Sequence, residues 1–127
     1  MFVSFFVDHA AGTQGTHFVT FPYACTIEEV WYCNDATLAK HVANYFTLTI
    51  LDASANSIGT FNTSTATGVA LATGVAYEIP TIDGTYSKLA AGESAKLQIG
   101  MAGGGAACTG TITLKVSVVI FITYKTI

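Results

Sequence analysis

The stretch Thr111-Ile-Thr-Leu-Lys-Val-Ser-Val-Val-Ile-Phe-Ile-Thr-Tyr-Lys125 decides the fold class. Ile112, Leu114, Val116, Val118, Ile120, Ile122 and Tyr124 recur at every second residue, the period at which strand side chains return to one face. The opposite positions begin as Thr111, Thr113, Lys115 and Ser117, then turn apolar at Val119 and Phe121. The first half reads as a strand with one buried and one solvated face, the second as a strand covered on both. Val119 and Phe121 are therefore the expected positions of sheet or subunit packing. Fully extended, these fifteen residues span roughly 50 Å, so a bend or bulge is expected partway.

Working back from this strand, residues 44–51 alternate equally well, with Phe46, Leu48 and Ile50 on one face and Tyr45, Thr47, Thr49 and Leu51 on the other. Residues 94–101 place Leu97 and Ile99 against Lys96 and Gln98. Further strands are expected at 2–7, 17–23, 27–33, 58–61, 69–72 and 75–79. The segment 2–7 alternates poorly, because Phe2, Phe5 and Phe6 fall on both faces. Pro22 limits pairing near the end of the second strand, since it lacks a backbone donor. Residues 36–43 read equally as a short helix or an irregular loop. Pro80, Asp83-Gly84 and the glycines at 103, 104 and 105 mark turns and a loop over 102–110. The expectation is an all-β antiparallel sandwich, jelly-roll-like or Greek-key, of seven or eight strands. Residues 1–26 would be an amino-terminal arm or edge strands packed on a main sandwich over 27–127, as one compact domain of 127 residues.

Composition narrows the partners. Hydrophobic residues make up 51% and charged residues only 10%, with a net charge of -3, where a charged share of about 25% is usual. Five scattered lysines and no arginine offer no cluster for phosphate contacts, so no nucleic-acid partner is expected. So neutral a surface suggests cover by partner subunits. The amino terminus lacks the positive leader of a signal peptide, and 116–124 is about half as long as a membrane-spanning helix; no membrane insertion is expected. Cys25, Cys33 and Cys108 match no zinc or redox spacing and read as buried free thiols.

Candidate chemistry is sparse. His9 and His17 bracket a glycine-containing loop and would approach Asp8, but the spacing is no metal motif. His41 lacks an evident nucleophile, and Glu28, Glu29, Asp35 and Asp52 read as solvated strand-end charges rather than a glycosidase pair. The glycines before Thr111 lack the following helix and lysine of a phosphate cradle. No catalytic, cofactor-binding or metal-ligating residue is assigned. Trp31, Tyr32, Tyr45, Tyr77, Tyr86 and Tyr124 offer stacking surfaces, and Trp31 and Tyr86 are the candidates for recognition, of a glycan in particular.

Asn44-Tyr-Phe-Thr-Leu-Thr-Ile-Leu-Asp52, Leu89-Ala-Ala-Gly-Glu93 and the glycine loop before Thr111-Ile-Thr-Leu-Lys-Val116 resemble small β-sandwich accessory proteins of tailed bacteriophage particles. The resemblance covers roughly residues 27–125. It implies a non-enzymatic structural virion protein that decorates or cements a capsid, often as a trimer, or attaches to a tail. It implies self-association, a major capsid protein or tail component as partner, and a place on the virion surface after synthesis in the host cytoplasm. A carbohydrate-binding or receptor-recognition module is the alternative, followed by a small hydrolase.

Overall fold

The computed structural model describes residues 1–9, 15–103 and 108–118. Nine strands form among them: β1 (Phe2–His9), β2 (Gly15–Thr20), β3 (Cys25–Asn34), β4 (Tyr45–Leu51), β5 (Ser57–Asn62), β6 (Ala76–Glu78), β7 (Lys88–Leu89), β8 (Ser94–Ala102) and β9 (Cys108–Val118). β6 and β7 are short and share one flank of β3, so they fill a single strand position between them. One sheet runs β1-β9-β3-β6, with β7 also on β3, and the other runs β2-β8-β4-β5. Every pairing is antiparallel.

The pairing is nested. β4 joins β5, β3 joins β6 and β7, β2 joins β8, and β1 joins β9. The chain is thus one long antiparallel ribbon rolled up, and the contacts β9 with β3 and β8 with β4 close the two sheets. This is the jelly-roll form of the expected sandwich. Its inner faces supply a core of Ile27, Val30, Tyr32, Phe46, Leu48, Ile50, Leu97, Ile99, Ile112, Leu114 and Val116, all at most 2% exposed. Tyr32, Phe46 and Phe61 pack with ring centroids 5.7–6.0 Å apart. The Tyr32 hydroxyl donates to Asn34 Oδ1 at 2.6 Å, which satisfies the one polar atom that ring carries inside.

Several local expectations change. Residues 36–43 form an irregular loop, held by isolated bridges from Leu38 to Leu71 and from His41 to Ser64. The Leu38 bridge is also all that residues 69–72 contribute to pairing. The expected loop over 102–110 is shorter, because Cys108–Gly110 pair with β1 and Gly110 with Asn34. Gly110 fits there because a Cβ would collide with the Cys33 carbonyl oxygen. The strand paired with β9 carries a bulge: register shifts between Ile27 and Glu29 leave Glu28 as an extra residue in β3. Residues 119–125, with Val119 and Phe121, lie outside the described residues, as does Tyr124.

Candidate interaction surface

β1 shows why its alternation was hard to read. Val3, Phe5 and Val7 turn towards the core, while Phe2, Ser4, Phe6 and Asp8 are exposed. Phe2 and Phe6 keep 65% and 64% of their surface in water, and Phe18 on β2 keeps 64%. β1 and β2 are edge strands on the same side of the sandwich, one in each sheet. Lys96 lies over the Phe18 ring, 5.8 Å from its centroid, which offers that ring a weak cation–π contact at an exposed site.

Where this side meets one end of the sandwich, the sheets part around a groove of about 950 Å³. Met1, Val3 from β1, Val118 from β9 and Cys25 from β3 form one wall, and Val19 and Thr20 of β2 form part of the other. The connection 21–24 and Ala91 complete it. Phe21 is pinned on both sides, its N–H donating to the Glu93 carbonyl at 3.1 Å and its own carbonyl accepting from Gly92 N–H at 2.8 Å. Gly92 sits at φ +83°, a left-handed conformation that suits glycine in this turn. Pro22 and Tyr23 then swing outward, leaving Tyr23 66% exposed. The burial around Cys25 pushes its thiol pKa up, which favours the protonated form.

Among the described side chains, the residues singled out for chemistry do not converge. Asp8 accepts from the Thr109 hydroxyl at 3.2 Å on the outer face of the first sheet, while His17 is half-buried in the other sheet. Among the described residues no group of three or more His, Cys, Asp or Glu side chains is placed to hold a metal. His41 Nδ1 accepts the backbone N–H groups of Ala43 and Asn44 at 3.0 and 2.7 Å, so this imidazole shapes a turn. The bulge turns Glu28 and Glu29 the same way, and Lys115 Nζ lies 3.8 and 3.6 Å from them. The Ser117 hydroxyl donates to Glu28 as well. Asp52 and Asp83 each accept backbone N–H groups within their own turns.

Of the aromatic candidates, Tyr32 is fully buried and Tyr77 packs on Phe61 at 5.3 Å, so both serve the core side of the sheet. Trp31 is half-buried on the outer face of β3, its indole N–H donating to Glu29 at 2.9 Å. Tyr86 is exposed in the turn before β7. That turn meets β3 at Thr26, five residues and roughly 17 Å of strand from Trp31, so the two offer no shared platform. Cys25 and Cys33 are free thiols, and Cys33 is only half-buried. The exposed phenylalanines and the groove were the features sequence reasoning missed. The one signal in the sequence was Phe2 and Phe6 four residues apart on a strand, which places both on one face.

No family model matches the chain, and no curated protein matches it. Among solved structures, a chain in the structure of infectious bursal disease virus, Gx strain, is similar at 14% identity and a TM-score of 0.34, over 92% of this chain and 32% of that one. A chain of the Gt strain gives 11% identity and a TM-score of 0.26, over 91% and 29%. This protein therefore spans about a third of the chains it matches, and likenesses this low carry no argument about function. They do overturn the expected affiliation, since the matches are to infectious bursal disease virus and not to tailed bacteriophages.

Proposed function

We propose that this protein is a non-enzymatic structural component of a virus particle, placed at the particle surface and acting by binding copies of itself and a neighbouring coat subunit. The observation that carries this reading is the apolar side of the sandwich. Phe2, Phe6, Phe18 and Tyr23 stand in water beside an apolar groove, on a chain with only 10% charged residues. Phe2 and Phe6 lie on the outer face of one sheet and Phe18 on the outer face of the other, and large exposed apolar side chains of this kind flank interaction sites. Jelly rolls build viral coats and also lectin domains, so the architecture alone does not decide between them. A glycan-binding reading has less support, because Trp31 and Tyr86 stand apart and the Trp31 N–H is already engaged.

Light scattering during size-exclusion chromatography tests the proposal. The expected result is a concentration-dependent mass of two or three 13.3 kDa chains, a dimer and a trimer both being closed forms. Mass spectrometry of purified particles should then find the chain at a fixed ratio to the main coat protein. A monomer at all concentrations, absent from particles, overturns the reading.

A further inference from the structure

The connection between β3 and β4 ends in a turn folded around one imidazole. His41 Nδ1 accepts the N–H of Ala43 at 3.0 Å and the N–H of Asn44 at 2.7 Å. Asp83 shapes its own turn in the same pattern: its Oδ1 accepts from Thr85 and Tyr86, also two and three residues on, at 2.8 and 2.9 Å. Side-chain oxygens of Asp and Asn are the usual acceptors in such turns. At residue 41 a ring nitrogen stands in their place. A ring that accepts at Nδ1 is neutral and carries its proton on Nε2.

The backbone ties this turn to its neighbours. His41 N–H donates to the Thr63 carbonyl at 3.0 Å, and the His41 carbonyl accepts from Thr65 N–H at 3.2 Å. Thr63 exchanges bonds with Phe46 at the start of β4, its N–H donating at 3.0 Å and its hydroxyl accepting at 3.2 Å. A Cβ on Gly103 would collide with the Ala43 carbonyl and the Asn44 side chain, so the turn lies against the end of β8. This is the end of the sandwich opposite the groove. The segments packed on the turn, 43–45, 63–65, 69–72 and 101–103, carry no charge, and the Tyr45 phenol is their one titratable group. Asp35 and Lys40, in the same connection, are exposed, and His41 makes no ion pair among the described residues.

We propose that His41 is a pH-sensitive latch on this end of the sandwich, closed while the ring is neutral and opened when it takes up a proton. Both nitrogens of an imidazolium are donors. A protonated Nδ1 would face two N–H groups with no acceptor between them, so the ring leaves. Ala43 and Asn44 are exposed, and their N–H groups then bond to water. Histidine changes charge between about pH 5 and 8, so the turn is closed at the upper end of that range and open at the lower. Opening withdraws Ala43 and Asn44 from Gly103 and uncovers the end of β8, while the two sheets stay folded. The latch is independent of the assembly reading above.

Amide hydrogen exchange followed by NMR on the full chain tests the latch. Ala43 and Asn44 are compared at about pH 7.5 and about pH 5, corrected for the intrinsic pH dependence of exchange, while the ring nitrogen shifts report tautomer and charge. The expected result is the Nε2–H tautomer at the higher pH and a loss of protection of at least about fivefold at both amides as the ring charges. Leu48 and Ile99, paired in the core, should keep theirs. His41→Asn retains an acceptor for the same two N–H groups and removes the titration, so both amides should stay protected at both pH values. A smaller loss on charging overturns the proposal, as does a neutral ring protonated at Nδ1. Loss shared by Leu48 and Ile99 would mean global unfolding, and an equal acid loss in His41→Asn would place the trigger elsewhere; either result overturns the latch.

Discussion

The two sides of the rolled ribbon treat water in opposite ways. On the side of β5 and β6, the chain finishes its own edge. Thr60 donates to the Leu48 carbonyl and meets Thr49 at 2.9 Å. Asn62 Oδ1 gathers the N–H and hydroxyl of Ser64 at 3.0 and 2.7 Å. The connection after β6 folds over β5, Asp83 N–H donating to Ile58 while Ile79 and Ile82 crowd the space above Gly59. On the side of β1 and β2, three phenylalanines face water and the sheets part. Covering an edge is a standard defence against unwanted pairing. The proposed assembly uses the edge that is left apolar.

Removing the shared core should erase the comparison altogether. Phe46 lies between Tyr32 and Phe61 at centroid distances of 6.0 and 5.9 Å and is fully buried. Phe46→Ala should cost about 3–5 kcal/mol through lost transfer and a residual cavity, much of a typical domain's roughly 5–15 kcal/mol. Chemical denaturation read by tyrosine and tryptophan fluorescence gives the value. A loss under about 1 kcal/mol would mean that the two sheets do not depend on this cluster.

The next test separates the sides. Phe2→Ser, Phe6→Ser and Phe18→Ser should each change the unfolding free energy of the isolated chain by no more than about 0.5 kcal/mol, as expected of exposed positions. Together they should weaken self-association at least tenfold by dilution light scattering. If instead the triple variant melts as a damaged core would, the phenylalanines belong to the fold and the contrast between the sides disappears.

How much of this was legible depended on the range of the interaction. Phe46, Leu48 and Ile50 announced β4, and Ile112, Leu114 and Val116 announced β9, because alternation is local and survives in the sequence. β1 hid its faces, since Phe2 and Phe6 put aromatic carbons where a solvated strand carries polar groups. The nested pairing was not readable, because nothing in β1 names β9, more than ninety residues away, as its partner. For the same reason the groove was invisible: Val3, Val19, Cys25 and Val118 meet only after the ribbon has rolled. The bulge at Glu28 gave a small warning in the paired glutamates, but only the register shows that both reach Lys115.

The smallest effect belongs to the finished side, in the turn between β4 and β5. Loss of hydration alone would raise the pKa of Asp52. The Asn56 side chain at 3.0 Å, with the N–H groups of Asn56 and Ser54 at 2.7 and 2.9 Å, outweighs that and holds the carboxyl below its usual value. A depressed pKa means that the charged form is the one the fold prefers. Its contribution is therefore present above the unfolded carboxyl value of about 4 and is lost as pH falls through the lower folded value. Asp52→Asn keeps the shape of the turn and removes the titration. Thermal unfolding of the two proteins should differ slightly near neutral pH, less than for either change above, and the curves should converge on acidification below about pH 4. A gap that persists unchanged to about pH 2 would mean that the turn depends on the shape of the side chain and not on its charge. In that case the finished edge is held by geometry, and acid will not loosen it ahead of the apolar one.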